Sequence, residues 1–203
     1  MQTKLIIYDF DGVLVDSHRA VYCYYDAVFT KFNLPLIDWE HSELGKLAYG
    51  LTHVQLLSRY ATGAELEAML NYVPDITQEE LIAISPLEKG VLEALPELAK
   101  SCHLAICTNR GHSIKQYLDH YDIESFFPYV ITASDVASPK PDPEGAQKIM
   151  AHYGVSTAES IFIGDSEADY FAAKDAGVRF ISFNSVLFGS PIIHDHREVK
   201  KYL

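Results

Sequence analysis

Two pairs of aspartates are the residues most able to do chemistry. Asp9 and Asp11 directly follow the apolar run Leu5-Ile6-Ile7-Tyr8, and Asp165 and Asp169 follow Ile161-Phe162-Ile163. An apolar run ending in acids puts carboxylates at the C-terminal end of a strand, where an open parallel sheet has its ligand crevice. If the two strands are neighbours, all four carboxylates converge there. Such a cluster repels itself unless a cation lies among the charges. Mg2+ fits, being a hard ion that takes oxygen ligands and keeps several waters. Plainer readings stand beside this one. Asp9 and Asp11 read as turn acids ahead of Gly12, and Ser166-x-x-Asp169 reads as a capping box, a role compatible with a metal site.

The elements that must carry these acids are legible as a pattern. Apolar runs at 5–8, 104–107, 129–132, 161–163 and 179–183 lack polar alternation, as strands buried on both faces of a parallel sheet do. Helical patterns at 113–121, 143–153 and 167–176 lie between the later runs, giving βαβ units. The stretch between the first two runs has no strand pattern. It reads as helices at 20–32, 43–60, 64–72 and 78–84, and the chain returns through a helix over 86–101. The expected fold is α/β, a Rossmann-like parallel sheet between two helical layers, with an inserted helical unit. Residues 1–16 and 86–203 form the core and 17–85 the insert. The tail, 184–203, reads as a short extra strand and a terminal helix. Asp142-Pro143 reads as an N-cap with proline at the first helical position.

Composition narrows the function. The chain has 203 residues, 48% hydrophobic and 22% charged, as in an ordinary globular protein. Its formal charge of -12, from 28 acids against 16 Lys and Arg, disfavours nucleic-acid backbones as partners. No uncharged stretch approaches the ~18 residues of a membrane span, and no signal-peptide pattern opens the chain. Cys23, Cys102 and Cys107 form no C-x-x-C pair and read as reduced, buried thiols of a cytoplasmic protein. The nine histidines show no H-x-x-H or H-E-x-x-H spacing and read as surface or supporting groups.

The strand followed by Asp9-Phe10-Asp11-Gly12, with Val15-Asp16-Ser17 closing the motif, resembles the first signature of the haloacid dehalogenase-like hydrolases. Three more signatures follow in that family's order: Thr108 in Cys107-Thr108-Asn109-Arg110, Lys140 in Ser138-Pro139-Lys140-Pro141, and Gly164-Asp165-Ser166-Glu167-Ala168-Asp169. The resemblance implies Asp9 as nucleophile, forming an aspartyl-phosphate, and Asp11 as general acid and base. It implies Mg2+ held by Asp9, the Asp11 carbonyl and Asp165, with Asp169 in support. Thr108 and the Asn109 N–H would bind the phosphoryl group, and Lys140 would neutralise it. An acid at position 11 favours phosphate esters over dehalogenation, because only an ester has a leaving alcohol to protonate. Thr108 also reads as a plain helix cap and Lys140 as a loop lysine stiffened by its flanking prolines.

The insert resembles the helical cap of phosphoglycolate-phosphatase-like members, which closes over the core and excludes water. Hinges are expected near 15–17 and 85–87. His18, Tyr22, Tyr49 and Thr52 are the expected substrate contacts from the cap, and for Tyr22 packing between helices is the competing reading. The expected activity is hydrolysis of a small phosphate monoester, phosphoglycolate-like or a sugar phosphate, by a monomer or homodimer. The alternative is a phosphosugar mutase resembling β-phosphoglucomutase. The cap's two arginines, Arg19 and Arg59, do not make the cluster that a second phosphate calls for.

Overall fold

The computed structural model describes residues 2–39, 41–48, 51–72, 76–111 and 113–203. Six strands, β1 (Leu5–Tyr8), β2 (His103–Cys107), β3 (Tyr129–Ile131), β4 (Ser160–Gly164), β5 (Arg179–Phe183) and β6 (Ile192–Ile193), form one sheet in the order β3-β2-β1-β4-β5-β6. Every pairing is parallel, and β1 lies between β2 and β4. Tyr8 is in register with Ile106 on one side and Ile163 on the other, so the segments following β1, β2 and β4 open at one sheet edge.

Helices cover both faces, which is why the strands need no polar alternation. The nine helices described are α1 (His18–Lys31), α2 (Glu43–Leu47), α3 (His53–Leu57), α4 (Gly63–Asn71), α5 (Gln78–Ala83), α6 (Val91–Leu98), α7 (Ile114–His120), α8 (Glu144–Tyr153) and α9 (Glu167–Asp175). Ile6 and Tyr8 of β1 pack with Leu95 of α6 and Tyr117 of α7. Leu5 and Ile7 point the other way, into Ile149 of α8 and Ala173 of α9. A third cluster joins Tyr25 and Phe29 of α1, Trp39, Leu56 of α3 and Met69 of α4. Ile82 of α5 belongs instead to the first cluster, and the Tyr121 hydroxyl donates to the Ser85 carbonyl at 2.5 Å.

Two elements and one cysteine differ from the pattern in the sequence. The helix expected over 43–60 is two helices, because Thr52 starts α3 with a capping box. The helix expected over 86–101 begins only at Val91. Before it, backbone pairs Asp16 N to Pro86 O at 2.8 Å and Glu88 N to Leu14 O at 3.0 Å, so those residues run alongside the end of the first motif. Gly90 then turns the chain with φ +81. Cys102 and Cys107 are buried as expected, but Cys23 is exposed on α1.

The tail forms the short strand expected of it and ends in a 3-10 helix, His196–Tyr202. His196 is fully buried, stacks on Phe183 and bonds through Nε2 to the Val13 carbonyl at 2.7 Å. A carbonyl only accepts, so Nε2 carries the proton. Burial holds this imidazole near 4, so it stays neutral. The tail thereby pins the loop that carries Asp9 and Asp11. Among the described residues no helix is long and apolar enough to cross a membrane.

Candidate active site

Asp9 continues β1 by one residue, its N–H donating to the Ile163 carbonyl at 2.8 Å. Neighbouring strands β1 and β4 therefore bring the two acidic motifs together. Ligand oxygens of Asp9, Asp165 and Asp169 lie within 4.8 Å of one another. Lys140 sits 4% exposed among them, its Nζ 2.7 Å from Asp9 Oδ1 and 2.5 Å from Asp169 Oδ1. The other oxygen of Asp169 accepts from Ser166 Oγ at 2.6 Å, from Ser166 N at 3.1 Å and from Asp165 N at 3.3 Å. Asp169 thus caps α9 and holds Lys140 at once. Asp165 differs, since its Oδ1 is buried with no hydrogen-bond partner.

This donor set fits a divalent ion. Three close carboxylates face one lysine, and an orphaned carboxylate oxygen is what a hard cation satisfies. Burial first, then the nearby Asp169, push Asp9 from 3.8 up to about 7. Burial and the same neighbours raise Asp165 as well. Burial works to lower the Lys140 pKa, but Asp169 and Asp9 more than offset it, and the ammonium is held charged. Cys107, beside the site, is pushed by burial up to about 12 and stays a neutral thiol.

The approach of the two loops depends on Gly12. A Cβ there would lie 2.2 Å from Asp165 Oδ2, and the backbone has φ +76. Gly12→Ala is expected to cost about 1–3 kcal/mol of stability. Gly111→Ala, whose Cβ would meet nothing within 4 Å, is expected to stay within about 0.5 kcal/mol. Urea denaturation of the pair checks this, and equal stability of the two variants would contradict the tight approach.

Asp11 is placed apart from the three convergent carboxylates. Its Oδ1 accepts from Ser17 Oγ at 2.5 Å and from Arg110 Nη2 at 2.5 Å, and its Oδ2 accepts from Arg110 Nε at 2.9 Å. Ser17 occupies the N-cap position of α1 yet makes no capping bond. Burial works to raise the Asp11 carboxyl, but Arg110 and Ser17 outweigh it and hold the group below its ordinary value.

Thr108 and Asn109 follow β2 into the same mouth. Thr108 is 3% exposed and its Oγ1 accepts from Arg110 N at 3.1 Å. Asn109 Nδ2 donates to the Lys140 carbonyl at 2.9 Å, tying the two loops.

The expected contacts from the helical unit have structural partners. His18 Nδ1 lies 2.7 Å from Asp16 Oδ1, Tyr22 stacks on Trp39, and Thr52 caps α3. Tyr49 lies outside the described residues. Two residues that the sequence pattern did not single out, Tyr25 of α1 and His53 of α3, lie within electrostatic reach of Asp11 and Arg110. His53 keeps accessible surface, but enough protein surrounds it that burial, with Arg110 next, lowers its pKa.

The chain is similar to known proteins over nearly its whole length. A family profile described as "Haloacid dehalogenase-like hydrolase" matches residues 6–183. A phosphoglycolate phosphatase of Pseudomonas syringae pv. tomato is 29% identical over 204 residues, covering 95% of this chain and 74% of the relative. Phosphoglycolate phosphatase 1 of Pseudomonas aeruginosa is 27% identical, covering 87% of this chain and 67% of that one. The crystal structure of a HAD-superfamily hydrolase, subfamily IA, variant 1, from Geobacter sulfurreducens superposes with a TM-score of 0.83 at 32% identity, covering 99% of this chain and 100% of that one.

Proposed function

Since the chain belongs to the haloacid dehalogenase-like hydrolases and is a phosphoric monoester hydrolase, we propose that it cleaves a small phosphate monoester in two displacements at phosphorus, with Asp9 as nucleophile and Mg2+ as cofactor. The observation that carries this reading is the convergence of Asp9, Asp165 and Asp169 around Lys140, with a buried Asp165 oxygen lacking a partner. Asp9, Asp165 and the Asp11 carbonyl would hold Mg2+, with Asp169 supporting. The ion would supply the positive charge that draws in phosphoryl oxygens and keeps the carboxylates ionised.

In the first displacement an Asp9 oxygen bonds phosphorus as the ester P–O bond breaks, and Asp11, which as an ion-paired carboxylate must first take up a proton from solvent, gives that proton to the departing alcohol oxygen. In the second, Asp11 takes a proton from water, whose oxygen bonds phosphorus as the Asp9–phosphorus link breaks, releasing phosphate. Lys140 holds Asp9 in place and offsets charge on the transferring group, and Thr108 and the Asn109 N–H orient it. Residues 17–85 serve as the cap. The separate cluster of α1, α3 and α4 supports this, as does the Val15–Leu87 bridge joining the two linkers. Tyr25 and His53 join His18, Tyr22, Tyr49 and Thr52 as cap groups that could meet substrate. Unpaired cysteines suit a reducing cytoplasm.

Turnover of p-nitrophenyl phosphate with Mg2+ tests the activity, and no phosphate release from it or from any ester in a metabolite panel refutes it. The mutase alternative is separated by β-glucose 1-phosphate with a trace of bisphosphate. Hydrolysis yields free phosphate, a mutase glucose 6-phosphate.

Metal binding has a thermal signature with a definite sign. Asp9 titrates near 7 in the metal-free fold and lower in the unfolded chain, so between those values the fold holds the extra proton. Stability in EDTA therefore falls as pH rises through that window. Mg2+ is expected to raise Tm by about 5 °C or more at saturation, and by more at the alkaline end than at the acid end. A Tm shift that shrinks with rising pH would contradict the assignment.

A further inference from the structure

Both oxygens of Asp11 are occupied. Ser17 and Arg110 take Oδ1, and Arg110 takes Oδ2, so the carboxylate faces a guanidinium fork. Arg110 itself rests on aromatic rings, its guanidinium carbon 4.4 Å from the Tyr117 centroid and 5.6 Å from that of Phe10. Its Nη1 also reaches Ser113 Oγ at 3.4 Å. An arginine stacked this way keeps its charge and can exchange partners while the rings still support it. Asp11 cannot simply swing away, because the Arg110 side chain is only 13% exposed and would be left as a buried, unpaired cation. Among the described residues Asp11 is the one carboxylate within salt-bridge distance of Arg110. On the cap side, Tyr25 and His53 are the titratable groups that sense the pair, and neither can replace the anion.

We propose that Arg110 is a substrate-operated release for Asp11: an ester with a second anionic group on its alcohol side gives Arg110 a replacement partner and frees Asp11 for the leaving oxygen. This rests on the hydrolase reading above and names its substrate class, phosphate monoesters carrying a carboxylate or second phosphate near the cleaved bond. Arg110 acts here as a positioning residue, and the bond changes are those already described. A neutral alkyl ester cannot free Asp11, so it lacks acid assistance even when bound.

The test compares 2-phosphoglycolate with ethyl phosphate, which differ by a carboxylate in place of a methyl group. With Mg2+, wild type is expected to favour 2-phosphoglycolate by about 30-fold or more in kcat/KM, part of it in kcat. Arg110→Gln is expected to cross the preference, lowering 2-phosphoglycolate turnover and raising that of ethyl phosphate. Arg110→Lys, which keeps charge but loses the fork, should fall between. Equal kcat/KM for the two esters in wild type overturns the proposal, and this arm stands even if a variant fails to fold. A proportional fall on both esters in folded Arg110→Gln, or an effect confined to KM, also overturns it. If wild type hydrolyses neither ester nor p-nitrophenyl phosphate, the hydrolase reading itself fails.

Discussion

Replacing Asp9 with asparagine is expected to remove turnover by about ten-thousand-fold or more while leaving the fold intact. Asparagine keeps the shape of aspartate but offers no anionic oxygen to phosphorus. The stability change should have the opposite sign from the activity change. Asp9 lies beside Asp169 in a buried cluster, and that crowding with burial is what drives its pKa up to about 7. A neutral side chain relieves the repulsion, so metal-free Asp9→Asn should melt above metal-free wild type. Lys140 keeps Asp169 as a partner at 2.5 Å and is not orphaned. Phosphate release and melting curves in EDTA read the two effects separately. Turnover within tenfold of wild type would remove Asp9 from the nucleophile's role.

Lys140→Met should have the largest effect on stability. Its ammonium bridges Asp9 and Asp169, and all three side chains are almost wholly buried. Methionine fills similar volume but leaves two facing carboxylates with no cation, a change that costs about 3–5 kcal/mol when one partner of a buried pair is lost. The loss should be greatest above about pH 7, where Asp9 ionises, and smaller with Mg2+. Adding Asp9→Asn to Lys140→Met should recover part of it, because the second change removes one stranded charge. If Asp9→Asn changes stability by the same amount in the Lys140→Met background as in wild type, the two groups do not interact. Activity should fall in Lys140→Met even where Mg2+ restores the melting point, since charge on the transferring group then goes unopposed.

What the sequence made legible was local. Each apolar run with an acid or threonine at its end marked a strand and the group it carries, so β1, β2 and β4 and the residues beyond them could be named from short windows. The order β3-β2-β1-β4-β5-β6 then brings Asp9 beside Asp165 and Asp169, as neighbouring strands one and four require. What stayed hidden depends on partners distant in the chain. Arg110 meets Asp11 across 99 positions because β1 and β2 are adjacent. The visible clue was a cation directly after Thr108-Asn109. His196 reaches Val13 across 183 positions, and no spacing around His196 marks it. The break between α2 and α3 turned on a capping box at Thr52 and Gln55 inside a helical-looking run. The extended return at Leu87 came from pairing with Val15, which a helix-period reading of 86–101 cannot register.

The stereochemical course at phosphorus tests the covalent route most directly. Hydrolysis of a thiophosphate ester made chiral at phosphorus with 16O and 18O, run in 17O-labelled water, should give chiral thiophosphate with retained configuration, the product of two successive inversions. Inverted thiophosphate would mean that water strikes phosphorus in one step, and Asp9 would then lose its place as the group that bonds phosphorus.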